Sequence, residues 1–431
     1  MSGRRYLGAL EGYYGPPLER AARLDLVRWL ATEGGTDYVY APKHDPWQRD
    51  RWRELYPDDR AAELRELVAV GREVGVDVGL VISPGLDWQN DDEVALTAKL
   101  QSLYDLGARS LGVAFDDVPP GGAELGARHG AAVAHVVAAL PDDVRWAACP
   151  VDYATAHVTA YLRAFADALP DGIPLMWTGP AIVSPTISGA ETAALARELG
   201  RPLVLADNWP VQDGAMSGVL HLGPYPDRDP EVVPATAGAL FNLMPLPLAS
   251  RIGVAAALRW WREPTGDREA QWRAVVAGVP GLEPLARAAR SWLTDPGPDP
   301  ELLERADAAL AQGDPRLEQW LALGCRDGLP VEWVAELEDW LQAWEWEAVA
   351  MAFVLSALRE GSGGGGAFAV GEAWRRIRTQ ERQLFGIRYA LYPVTRRDGD
   401  VERADARGLI ESDNLTDRIC RRALHLLTGE I

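Results

Sequence analysis

The chain has 431 residues, 48% of them hydrophobic, which is enough for a large core and for two domains. Its formal net charge of −20 repels nucleic acid and anionic membrane surfaces, so neither is expected as a partner. The cysteines, Cys149, Cys325 and Cys420, are too far apart for a disulfide framework, and the scattered histidines show no metal spacing, so no cofactor is expected.

Met1-Ser2-Gly3-Arg4-Arg5 leads straight into a strand-like stretch. No apolar signal segment precedes it and no apolar run of about 18 residues follows, so a cytoplasmic protein is expected. From residue 5 to about 262, short apolar runs alternate with stretches of helical period. The predicted strands are Tyr6–Glu11, Tyr38–Ala41, Val76–Ile82, Leu111–Phe115, Val144–Cys149, Pro174–Trp177, Leu203–Ala206 and Ala239–Leu243. Amphipathic stretches such as Leu18–Ala31, Ala61–Val74, Glu93–Leu106, Ala123–Leu140, Ala154–Ala168 and Ala190–Leu199 lie between them. Eight such repeats over about 250 residues predict an α/β fold, a (β/α)8 barrel of the TIM type. An open doubly wound sheet fits less well, because no G-x-G-x-x-G follows the first strand. Gly218–Tyr225 is apolar enough for a strand, but its Gly-Pro-Tyr ending and the later Ala239–Leu243 run make it a loop.

Barrel active sites lie where the strands end, and polar, Gly and Pro residues gather at those positions in this chain. The strand ends carry Glu11-Gly12-Tyr13-Tyr14-Gly15-Pro16, Ala41-Pro42-Lys43-His44-Asp45, Ser83-Pro84-Gly85, Asp116-Asp117, Cys149-Pro150-Val151-Asp152-Tyr153, Trp177-Thr178-Gly179-Pro180, Asp207-Asn208-Trp209 with Asp213, and Asn242. The fourth is the most pointed. A buried-strand run, Ser110–Phe115, stops at two adjacent carboxylates, and Pro119-Pro120-Gly121-Gly122 follows. Two acids side by side in a partly dry pocket split their affinities for protons, which suits acid–base chemistry; a solvated loop that begins with Asp-Asp is the plain alternative. Lys43 adds a smaller signal. Arginine is the default cation of this chain, and the two lysines, Lys43 and Lys99, mark places that need a compact ammonium.

Beyond about residue 280 the pattern changes. Pro and Asp cluster around Asp295–Pro300, and the stretches Glu301–Gln312, Arg316–Leu323, Val331–Leu358, Glu372–Leu391 and Leu415–Leu427 read as helices. Ser362-Gly363-Gly364-Gly365-Gly366 reads as a flexible break. The expected division is a barrel domain over 1–270 and a helical bundle domain over 280–431. Trp333, Trp340, Trp344 and Trp346 on one helix fit a bundle core; the alternative is a surface that pairs two copies into a homodimer.

Taken together and in order, the loop motifs resemble glycoside hydrolase family 84, the O-GlcNAcase or β-N-acetylglucosaminidase family. The matching pieces are Glu11–Gly15, Tyr40–Lys43, Asp116-Asp117, Cys149-Pro150 with Tyr153, Trp177–Pro180, Asn208 with Asp213, Leu222–Tyr225, and Asn242. The resemblance implies retaining hydrolysis of a terminal β-linked N-acetylglucosamine, in which the substrate's own 2-acetamido oxygen attacks the anomeric carbon. It implies that Asp116 polarises the acetamide N–H and that Asp117 is the general acid and base. It implies that Tyr153 and Asn208 hold the acetamide, and that Gly12, Lys43, Asp213 and Asn242 bind sugar hydroxyls. Cys149 and Thr178 would line the acetyl pocket. The chain departs from the family pattern at Ala206, where tryptophan is usual and closes that pocket; neighbouring Trp209 is a candidate to fill the space. A wider acyl pocket, or a barrel that binds sugar without cleaving it, are the competing expectations.

Overall fold

The computed structural model describes residues 4–428 apart from 90, 361–362, 388, 392–393, 399–400, 406–408 and 412–413. The strands β1 (Tyr6–Glu11), β2 (Asp37–Tyr40), β3 (Asp77–Ile82), β4 (Ser110–Ala114), β5 (Arg145–Cys149), β6 (Leu175–Trp177), β7 (Leu203–Asp207) and β8 (Gly238–Asn242) form a closed parallel barrel in sequence order. The helices α1 (Arg20–Thr32), α2 (Asp58–Val74), α3 (Asp92–Asp105), α4 (Ala123–Ala139), α5 (Ala160–Ala168), α6 (Gly189–Leu199), α7 (Val232–Ala235) and α8 (Pro247–Arg262) follow the strands in turn. Each strand lies within one residue of its predicted limits, and Gly218–Tyr225 is not one of them.

The strands read as unbroken apolar runs because both their faces are covered. Tyr6, Leu10, Val39, Val81, Ala114, Met176, Val204 and Leu240 fill the barrel interior. At the strand starts, Arg145 spans Asp37 and Asp77. At the strand ends, Glu11 is fully buried and takes both arms of Arg23, at 2.7 and 2.9 Å, and the Leu18 N–H at 2.9 Å. This pins the Gly12–Pro17 loop over β1. Asp207 takes both arms of Arg228, at 2.9 and 3.0 Å, and Arg228 also donates to Ser184 O, which joins the loops after β6 and β7.

The chain separates into two compact units. One comprises Met1–Asp213, Pro226–Gly266 and Pro393–Arg407; the other comprises Gly214–Tyr225, Asp267–Tyr392 and Gly408–Ile431. The second unit carries α9 (Arg268–Val276), α10 (Glu283–Ala288), α11 (Pro300–Gln312), α12 (Arg316–Leu321), α13 (Val331–Glu360), α14 (Gly363–Arg378) and α15 (Leu415–Thr428). Trp333, Trp340 and Trp344 on α13 are buried, as a bundle core requires, whereas Trp346 is exposed. Two expectations for this unit do not hold. Gly363–Gly366 opens α14 rather than breaking the chain, and Ser362 lies outside the described residues. The helix expected over Glu372–Leu391 stops at Arg378, and Tyr389–Leu391 pairs with Leu409–Glu411 as antiparallel strands. At the stop the last turn tightens, the Thr379 N–H donating to Arg376 O at 3.3 Å and the Gln380 N–H to Ile377 O at 3.1 Å. Further on, Phe385 and Gly386 take positive φ, and the Asn414 side-chain amide donates to the Leu384 and Gly386 carbonyls, so the helix does not resume there. Among the described residues no helix is long and apolar enough to cross a membrane.

Candidate active site

The site is built from the ends of the strands. β4 stops at Ala114, and the Phe115 N–H adds one more ladder bond to Cys149 O at 2.9 Å. Successive residues on a regular strand face opposite ways, which would separate Asp116 from Asp117. The chain avoids this at Asp117 itself, whose φ is 55°. Asp is among the few residues that adopt this left-handed conformation readily. The bend thus falls at Asp117, ahead of Pro119-Pro120-Gly121.

The two carboxylates sit in different surroundings. Asp116 is half-buried and accepts from Lys43 Nζ; Arg49 Nη1 lies 3.8 Å away, and the Ser83 hydroxyl donates at 3.4 Å. Burial works against its charge, but Lys43, by charge and hydrogen bond, and then Arg49 outweigh it, and the Asp116 carboxyl ends below the usual range. Asp117 is exposed and is held by two phenols: Tyr14 donates to Oδ2 at 2.8 Å and Tyr153 to Oδ1 at 2.6 Å. Burial and then the Asp117 charge push the Tyr153 phenol well above its ordinary value, so it keeps its proton at neutral pH. The same causes raise Tyr14.

Tyr14 connects the acid pair to the rest of the rim. Its N–H donates to Asp213 at 2.8 Å. Asp213 is raised by burial; the Tyr14 N–H opposes this and Asp117 adds to it. A second chain runs across the rim: the Gly12 N–H donates to Asn242 Oδ1 at 3.1 Å, Asn242 donates to Asn208 Oδ1 at 2.9 Å, and Asn208 donates to Ile182 O at 2.8 Å. Thr178 is tied into its own loop, its hydroxyl on Ala181 O at 3.0 Å and its N–H on Tyr153 O at 2.9 Å. Cys149 lies in the barrel interior with Ala114 and Ala206, and Tyr153 packs against the same cluster. Burial, then Asp116, keeps its thiol protonated. Trp209 does not reach that cluster. It is buried against α8, its indole donating to Gly253 O at 3.2 Å.

All ten residues singled out from the sequence thus lie at strand ends or in the loops that follow. Lys43 and Asp116 form one hydrogen-bonded pair, and Asp117, Tyr153 and, through Tyr14, Asp213 form a second group; Arg49 ties the two by donating to the carbonyls of Asp116 at 3.5 Å and Asp117 at 3.4 Å. Gly12, Asn208 and Asn242 form a third group. Sequence reading gave no role to Tyr14 or Ser83, and it missed Gln48 and Arg49 altogether. Gln48 donates to Ser83 Oγ at 2.8 Å. Arg49 carried no signal in a chain whose default cation is arginine, whereas the rare lysine did.

The beta-N-acetylglucosaminidase family model matches residues 7–293. The chain belongs to this family. As a member of this glycoside hydrolase family it is 32% identical over 257 residues to protein O-GlcNAcase of Rattus norvegicus and, equally, to that of Mus musculus. The match covers 56% of this chain but only 28% of those relatives. Among solved structures, a variant of the Thermobaculum terrenum O-GlcNAc hydrolase superposes with a TM-score of 0.79 at 22% identity, covering 98% of this chain and 94% of the other. At that identity the likeness speaks for the fold.

Proposed function

We propose that this β-N-acetylglucosaminidase family member is an exo-acting, retaining hydrolase of β-linked N-acetylglucosamine that uses its substrate's acetamide as the nucleophile. The observation that carries the reading is the unequal seating of two adjacent aspartates on one rim. Asp116, held anionic by Lys43 and Arg49, accepts the acetamide N–H as positive charge grows on the nitrogen. The acetamide oxygen then closes on the anomeric carbon, the glycosidic bond breaks, and an oxazoline forms. Asp117, open to solvent, gives its proton to the departing oxygen and later takes one from the water that opens the ring. Two inversions at one carbon return the β-anomer. Tyr153, whose hydroxyl donates to Asp117, turns that phenol to the acetamide oxygen when substrate arrives. Gly12, Asn208, Asn242, Asp213 and Lys43 supply donors and acceptors for the sugar hydroxyls.

Aryl β-N-acetylglucosaminides of graded leaving-group ability test this. Asp117→Asn should slow the poor leaving groups most, while Asp116→Asn should slow all of them alike. Wild-type protein that binds the sugar and turns over none of these substrates would favour the non-catalytic reading.

Ala206 supports one refinement of the same proposal. With alanine in the barrel interior and Trp209 held on α8, the acyl pocket admits groups longer than acetyl. N-butanoyl substrate should then retain a measurable share of the N-acetyl rate. A steep loss with each added methylene would sink the refinement without touching the reaction.

A further inference from the structure

Two helices outside the site are packed unusually closely. Gly126 and Gly130, one turn apart on α4, meet α5 backbone to backbone: a Cβ on Gly126 would lie 2.2 Å from Tyr161 O, and one on Gly130 would lie 2.6 Å from Phe165 O. Such an approach is open only to glycine. Between the two glycines stands His129, 1% exposed. Its ring stacks flat on Phe115, with centroids 3.8 Å apart and planes 5° apart. Its Nδ1 lies 2.9 Å from the Tyr161 hydroxyl. That hydroxyl also accepts the Val151 N–H at 3.3 Å. With the imidazole neutral, the Nδ1 contact is a hydrogen bond whether the hydroxyl or Nδ1 supplies the proton. Burial, then the charge of Arg128, pushes the ring's pKa down to about 4, so it stays neutral through the physiological range.

This set touches both halves of the acid site without touching any reacting atom. Phe115 immediately precedes Asp116-Asp117, and Val151 is two residues before Tyr153. We propose that His129 and Tyr161 are positioning residues, a relay that sets the height of the Asp117 turn against the Tyr153 loop, so that carboxyl and phenol meet in the free protein and stand correctly spaced when the phenol turns to the acetamide. The glycine pair on α4 lets the relay close. The inference rests on the functional reading above for its kinetic consequence, but not for its geometric one.

Tyr161→Phe removes a single oxygen and leaves the ring in place. Its kcat on an aryl β-N-acetylglucosaminide should fall about tenfold, well inside what a misplacement of under one ångström produces, with KM within about twofold of wild type. In a Tyr153→Phe background the same change should cost nothing further, because the contact it serves is gone. An equal loss in both backgrounds, or no loss in the first, overturns the relay. Should Tyr161→Phe fail to fold, His129→Asn carries the same cycle: it keeps a polar atom near the Nδ1 position and loses the plate under Phe115. A crystal structure of either variant gives the geometric arm. Tyr153 Oη is expected outside hydrogen-bonding reach of Asp117 Oδ1, and an unchanged 2.6 Å contact overturns the proposal. If wild-type protein hydrolyses no such glycoside, the functional reading falls and the crystal structure alone decides the relay.

Discussion

The two rims of the barrel are built from the same residue types to opposite ends. At the strand starts, one arginine, Arg145, is shared by Asp37 and Asp77, and Asp37 also takes the Leu7 N–H at 3.0 Å. At the strand ends, the three carboxylates of the candidate site divide differently: cations are spent on one of them only. Asp116 has both Lys43 and Arg49, while Asp117 and Asp213 have phenols and a backbone N–H and, among the described residues, no ion pair. A rim that pairs its carboxylates with a cation resists unfolding. A site that leaves two of its three carboxylates without one keeps them available to a ligand, at a cost in stability that the buried pairs Glu11–Arg23 and Asp207–Arg228 of the same rim help to offset.

Substitutions on the two rims should therefore separate activity from stability. The largest effect is expected from Asp116→Asn, with kcat/KM down roughly 10³-fold whatever the leaving group. Next, Asp117→Asn should cost about 10²-fold or more on alkyl glycosides and far less on activated aryl ones, measured as a steeper Brønsted slope. On the other rim, Arg145→Met should lower unfolding free energy by about 2 kcal/mol in denaturant titrations, because it leaves two carboxylates without their cation, and kcat should hold. Equal kinetic damage from Arg145→Met would erase the contrast between the rims. A pH effect is smaller. The Asp116 carboxyl is lowered in the folded protein, so on acidification the unfolded chain takes up this proton first. Its stabilisation is full above the ordinary carboxylate range, near pH 4, and is lost as pH falls through the lowered folded value. The difference in melting temperature between wild type and Asp116→Asn should be flat at neutral pH and shrink only in strong acid. Smallest of all, Trp346→Glu on the exposed face of α13 should leave kcat unchanged, and sedimentation should report whether that face joins two copies.

Most of the barrel was legible because its strands are apolar on both faces and its loops are marked by Gly and Pro. Asp116-Asp117 was legible because charge ended an apolar run, and Lys43 because lysine is rare in this chain. Lys99, the other lysine, is also a special position: it is fully buried, its ammonium 3.9 Å from the centre of the Tyr56 ring and bonded to Glu54 O. What the sequence hid was partnership. Nothing in the spacing of Tyr14, Ser83 or Arg49 says which carboxylate each will meet, since those meetings join residues tens of positions apart. The left-handed turn at Asp117 was hidden for a different reason: a single residue's φ leaves no mark on composition or periodicity. In the second unit, the helical period beyond Arg378 continued past the point where Phe385 and Gly386 reverse the chain, because periodicity does not register a change in φ.

The proposed nucleophile is the substrate's own amide, and Asp116 is the group proposed to polarise it. Replacing the acetyl hydrogens of one aryl glycoside stepwise by fluorine weakens that carbonyl oxygen while barely changing its size. If the amide attacks, kcat/KM should fall steeply and log-linearly with each fluorine in wild type. A rate indifferent to fluorination would mean that a group on the protein attacks instead, and would contradict the proposed roles of Asp116 and Asp117.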